Sequence, residues 1–295
     1  MVTTAPIPRE RGWRPVAAWS RPGRFWLGWP AAGSNAQHDE AAREDCLGLA
    51  ELLSDYAPVS LICSCREAAE VALRTPPNVA ALASDIDGIA LGQHTPLWLT
   101  DDSGTPVAAV AFSALGRDLA ERAGVVVLEP PPGLPCGLDC DGEGSALVIV
   151  PPEQHQAAAE AVTRWLGVDC PILLEPLEPQ APSPAARFLA PGLVVLPPHP
   201  ANHQRLEAVV DARGRRLTLL ELPNSKRGDG CYADCLVAGD AVVVPDFEDG
   251  RGTEAFTRVA AIALGRRVSA FPASWLAPVK AGLGTVVAVQ PGAAG

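Results

Sequence analysis

No apolar run in this chain approaches the roughly 18 residues that mark a membrane-spanning helix. Positive charge is also scarce. Against 34 Asp and Glu stand 23 Lys and Arg, a formal net charge of −11. A nucleic-acid surface needs a basic stripe, and an anionic membrane needs a basic face, so neither is expected as a partner. Met1 to Arg14 carries Pro and Arg without an apolar h-region, which argues against a secretory signal and for the cytoplasm. No two cysteines stand at the C-x-x-C spacing of a zinc knuckle. No stretch is long enough to be a linker between two domains.

What is present is a chain of 295 residues rich in Pro, Gly, Ala and Val, with 30 prolines and 27 glycines. That composition fits short strands and helices joined by tight connections. Residues 1–11 are expected to form a flexible tail and 12–295 a single domain. Phe25 to Pro30, Val59 to Cys63, Leu193 to Leu196 and Val268 to Phe271 read as strands. Leu97 to Thr100 and Val107 to Phe112 read as a hairpin turning at Asp101-Asp102-Ser103-Gly104. Cys235 to Val244 reads as a strand, as does Thr285 to Val289. Glu40 to Tyr56, Leu115 to Ala123, Gln154 to Leu166, Ala201 to Val210 and Glu254 to Leu264 have helical spacing, the third of these capped by Gly167. A recurring order of strands and single helices, about every 50 to 60 residues, indicates an α/β fold built from a pseudo-repeat.

Five segments, in order, resemble the agmatine deiminase branch of the guanidino-group-modifying enzymes. F-W-L-G-W-P (Phe25 to Pro30) resembles T-W-M-A-W-P. Gly137 to Gly144 ends in D-G-E-G, as E-G-G-x-x-x-x-D-G-x-G does. Ala186 to Leu196, A-R-F-L-A-P-G-L-V-V-L, is similar to A-x-F-x-x-P-G-x-V-L. Asp211 to Pro223, D-A-R-G-R-R-L-T-L-L-E-L-P, follows D-A-x-G-R-x-L-x-V-x-x-L-P. Tyr232 to Asp249 is similar to Y-x-N-F-x-x-x-N-G-x-V-x-V-P-x-F-x-D. The resemblance implies a pentein, the five-bladed α/β propeller of pseudo-repeated ββαβ modules.

The departures fall on chemistry. The family strand G-G-G-x-x-H-C-x-T-Q becomes Gly282 to Gln290, with Val287 at the nucleophilic cysteine and Val286 at the histidine. D-x-W-x-R-D-x-G-P becomes Gly88 to Pro96, with Gly92 at the arginine and Gln93 at the second aspartate. Leu134 takes the E-G-G glutamate. Ala181 takes the D-G-H-x-D histidine and Ser183 the aspartate after it. A guanidinium needs carboxylates for its fork, and hydrolysis needs a thiolate beside a base. Neither survives at its family position.

Other residues are candidates for replacement chemistry. Cysteines form close pairs: Cys63 with Cys65, Cys136 with Cys140, and Cys231 with Cys235. In a pentein, strand ends converge on one centre, so Cys136, Cys140, Cys231 and Cys235 are candidate metal ligands for zinc or an iron–sulfur cluster. Buried apolar thiols with no cofactor are the alternative. Cys136, Cys235 and His94 are the candidate catalytic groups. Trp29, Gln93, Asp139 and Asp234 are the candidate ligand contacts. The expected function is a non-deiminase reaction on a small molecule in a biosynthetic pathway. The alternatives are a non-catalytic ligand- or partner-binding module, and a guanidino hydrolase with a relocated nucleophile. A homo-oligomer fits any of these.

Overall fold

The computed structural model describes residues 7–30, 36–84, 91–177, 184–228, 230–263 and 265–293. The first elements are β1 (Arg14–Pro15), β2 (Pro22–Gly28), α1 (Ala36–Ser54), β3 (Val59–Cys63), α2 (Ala68–Arg74) and β4 (Val79–Ala83). There follow β5 (Leu97–Thr100), β6 (Pro106–Val110), α3 (Ala114–Arg122) and β7 (Val126–Leu128). Next come β8 (Leu138–Cys140), β9 (Ser145–Ile149), α4 (His155–Ala161) and β10 (Cys170–Leu174). Then β11 (Arg187–Ala190), β12 (Leu193–Leu196), α5 (Pro200–Ala208) and β13 (Thr218–Glu221). The chain continues through β14 (Leu236–Ala238), β15 (Ala241–Asp246), α6 (Gly252–Ile262) and β16 (Arg267–Pro272) to α7 (Leu283–Val286) and β17 (Val287–Pro291).

Among the described residues these strands make five sheets. Each repeats one unit: an antiparallel pair, a crossover helix, and a third strand parallel to the second. β5-β6-α3-β7, β8-β9-α4-β10, β11-β12-α5-β13 and β14-β15-α6-β16 follow it in sequence order. In the remaining sheet the first strand comes from the far end of the chain. β17 pairs antiparallel with β2, Val287 opposite Leu27, and β2 then runs parallel to β3. The inner parallel strands β3 and β12 are buried along their whole length, which is why V-S-L-I-C, but for Ser60, and L-V-V-L read as apolar runs. Helices close with ordinary devices. Ser113 caps α3 by accepting from the Gly116 amide, and His199 caps α5 through the Asn202 amide.

Three local features differ from the sequence expectation. Cys235 to Val244 divides into β14 and β15, because Gly239 takes φ +59° and turns the chain into a hairpin. The helix before Gly167 changes to π-helical winding over Val162–Leu166. The expected tail is partly docked: Pro8–Arg11 forms a turn of 3-10 helix with Pro8 buried, and the Trp13 amide donates to its carbonyl. Among the described residues no helix is long and apolar enough to cross a membrane.

Candidate functional site

A cavity of about 770 Å³ opens at the middle of the five sheets. Its wall draws on the first strand of every unit: Leu97 and Trp98 of β5, Leu138 and Asp139 of β8, Arg187 of β11, Leu236 and Val237 of β14, and Val287 and Val289 of β17. The wall is mostly apolar, and Phe112, Ile149 and Pro151 add to it. Among the described residues, the side chains with formal charge that line it are Asp139 and Arg187, with His94 exposed at its edge.

The polar floor is a chain of contacts around Arg187. Its Nη2 lies 3.3 Å from Asp234 Oδ1, and Asp234 is fully buried behind it. Asp234 Oδ2 accepts from the Gly282 amide at 2.8 Å and from Thr285 Oγ1 at 2.5 Å. These bonds wind Leu283–Val286 into a helical turn where a continuous strand was expected from Thr285. On the other side, Asp139 Oδ2 accepts from the Phe188 amide at 2.7 Å. Burial raises the Asp139 carboxyl to about 6, against the opposing pull of Arg187 and of the Phe188 and Cys140 amides. Glycine spacing serves this floor. A Cβ on Gly284 would stand 2.6 Å from Arg187 Cζ and 2.6 Å from the Cys235 carbonyl oxygen.

At three positions where the resemblance implies deiminase chemistry the residue is glycine or apolar. Val287 is buried in the wall, a hydrocarbon where the family holds its thiol. Gly92 leaves no room for any side chain, because a Cβ there would lie 2.5 Å from the Thr285 carbonyl oxygen. Leu134 packs into the apolar core with Cys140, Val150 and Ala158. Gly88, Ala181 and Ser183 lie outside the described residues.

Several candidates change role. Cys235 is fully buried, does not line the cavity, and donates to the Tyr232 carbonyl at 3.1 Å. Burial, then the charge of Asp234, drives its pKa up, so a catalytic thiolate there is ruled against. Cys231 is likewise buried and pushed up to about 12. Cys140 lines the cavity but is buried, and its pKa is also raised. Cys136 is exposed at the rim. The four-cysteine metal set is therefore corrected: two of its members are core thiols. Among the described residues no group of three or more His, Cys, Asp and Glu side chains is placed to hold a metal ion. Cys63 is buried and Cys65 exposed.

Trp29 is also a correction. It sits in the core beneath α1, with the guanidiniums of Arg43 and Arg74 at 5.6 and 5.5 Å from its ring, and does not line the cavity. Gln93 lies in the 3-10 turn Leu91–His94. Asp139 lines the cavity, and Asp234 supports it from behind Arg187. Arg187 and Thr285 were missed. The available signal was a lone arginine entering an apolar strand, A-R-F-L-A. Arg215 bonds both Asp211, at 2.5 Å, and Glu143.

No protein-family model matches the chain. The "Putative agmatine deiminase" of Streptomyces avermitilis is 25% identical over 305 residues, covering 83% of this chain and 87% of that protein. The agmatine deiminase of Enterococcus faecalis superposes with a TM-score of 0.83 at 16% identity, covering 98% of both chains. This chain has the pentein fold, built like the agmatine deiminases. The C. jejuni agmatine deiminase agrees, with a TM-score of 0.75 at 16% identity, over 94% of this pentein and 96% of that chain.

Proposed function

We propose that this agmatine deiminase-like pentein binds a small molecule in its central cavity and does not hydrolyse a guanidinium. The observation that carries the reading is Val287. It stands in the cavity wall where the family resemblance puts the nucleophile. Valine has no lone pair to attack a guanidinium carbon. Cys231 and Cys235 are sealed in the core and Cys140 is held as a buried thiol, which leaves Cys136, exposed at the rim, as the accessible thiol among the described lining residues. A mostly apolar wall with a few convergent polar groups fits a small organic ligand. The test is incubation with agmatine, arginine or a peptidyl-arginine. No ammonia and no ureido product are expected above background, and steady turnover would sink the reading.

A second reading is supported by Asp139. Its carboxyl faces the cavity and holds its proton to about pH 6, within the range of a general acid–base group. On this reading the pentein catalyses a non-deiminase proton transfer on its ligand. A substrate screen separates the two. Turnover abolished by Asp139→Asn with binding retained favours the enzyme, and binding without turnover favours the module.

A further inference from the structure

From the contacts of Arg187, we infer that this residue anchors a carboxylate of the cavity ligand, turning a site that resembles a guanidinium binder into an anion-accepting one. This inference rests on the reading of the cavity as a small-molecule site.

Arg187 enters the cavity from the first position of β11 and keeps 21% of its side chain exposed there. A guanidinium carries five N–H donors. Its ion pair with Asp234 is a single contact of 3.3 Å, well beyond the roughly 2.7–2.9 Å of a tight charge-assisted bond. Its Nε is buried without a partner. Asp139, the other nearby carboxylate, already spends Oδ2 on the Phe188 amide. The guanidinium therefore keeps N–H groups that these contacts do not use.

The group is also held in place. Asp234 is fixed by Gly282 and Thr285, and the absent Cβ of Gly284 lets the guanidinium Cζ approach the α7 turn closely. A planar fork fixed in this way matches the two oxygens of a carboxylate. A cationic group placed at that fork would instead meet a like charge. The rest of the ligand would lie against Trp98, Phe112, Ile149 and Val287. An aryl or alkyl body suits that wall.

The probes are phenylacetate, its uncharged amide phenylacetamide, and the cation phenethylamine, each titrated into the full chain by calorimetry. The same aromatic body should bind in the order carboxylate, amide, amine, with at least a tenfold gap between the first and the last. Arg187→Gln should weaken phenylacetate at least tenfold and should not weaken the amine. Equal binding of acid and amine, undiminished phenylacetate binding by Arg187→Gln, or no binding of phenylacetate to the wild type would each overturn the anchor. Should the Gln variant not fold, a crystal soaked with phenylacetate decides. The carboxylate is expected within hydrogen-bond distance of the Arg187 guanidinium, and a carboxylate placed elsewhere overturns the proposal. If the amide or amine binds and the acid does not, the anchor fails while the small-molecule reading stands. Agmatine turnover would instead sink that reading.

Discussion

Arg187 and Asp234 meet across the floor of the cavity, Nη2 to Oδ1 at 3.3 Å, with the carboxylate fully buried. The aspartate is held by Gly282 and Thr285 before it meets the arginine. Asp234 thus connects β11, the start of β14 and the α7 turn.

Asp234→Ala should be severely destabilising. It removes two hydrogen bonds and leaves Arg187 facing a buried void. Loss of one partner from a buried, hydrogen-bonded charge pair costs about 3–5 kcal/mol. Urea unfolding followed by circular dichroism checks this. A loss below about 1 kcal/mol would show that the floor is not held by this residue.

Asp139 should make stability fall as pH rises. Its carboxyl is raised to about 6 from an ordinary 3.8, with Arg187, Asp141 and the Phe188 and Cys140 amides facing it. Between those values the unfolded chain has released this proton and the folded chain still holds it. The native state binds more protons there, so this group's contribution declines from about pH 4 to about pH 6 and levels off above. Asp139→Asn should remove that component of the slope. Unfolding midpoints across this range, wild type against variant, provide the measurement, and identical slopes would contradict the assignment.

Gly284→Ala should cost about 1–3 kcal/mol, the range for overpacking a filled site. The added methyl would press on Arg187 Cζ and on the Cys235 carbonyl. Gly214 is the control: it has φ +77° but nothing within 4 Å of an added Cβ. Gly214→Ala should cost only the backbone strain of the left-handed region, about 1 kcal/mol. If the two variants melt together, the close approach at Gly284 has no energetic weight.

The thiols should divide by reactivity. Cys65 and Cys136 are exposed, whereas Cys46, Cys231 and Cys235 are buried with pKa values driven up by desolvation. Iodoacetamide at mild alkaline pH should label Cys65 and Cys136 first. The other three should react only after denaturant is added. Peptide mass spectrometry reads this directly, and early labelling of Cys235 would reopen it as a nucleophile.

Much of the fold was legible because the repeat is local. Val59–Cys63 is apolar but for Ser60 and became a strand with the expected bounds. Gly167 ended its helix with φ +72°, as a C-terminal glycine does. The motif running from Tyr232 to Asp249 has a physical basis too: the tyrosine hydroxyl donates to Asp249 at 2.6 Å, joining the two ends of the matched segment. The turn at Leu283–Val286 was not legible. Its residues favour a strand, and only hydrogen bonds to the distant Asp234 wind it.

The sequence by itself determined the order of modules and the hydrocarbon at position 287, because both depend on which residues follow one another. It also determined that eight cysteines exist, without their fate. Tertiary structure decided which thiols are sealed, because burial depends on strands from separate modules closing over them. It decided as well that Trp29 belongs to the core and that Arg187, unremarked in an apolar strand, lines the cavity. Charge and accessibility at the centre of a pentein are set by five strand ends meeting, and no single segment of the chain encodes that meeting.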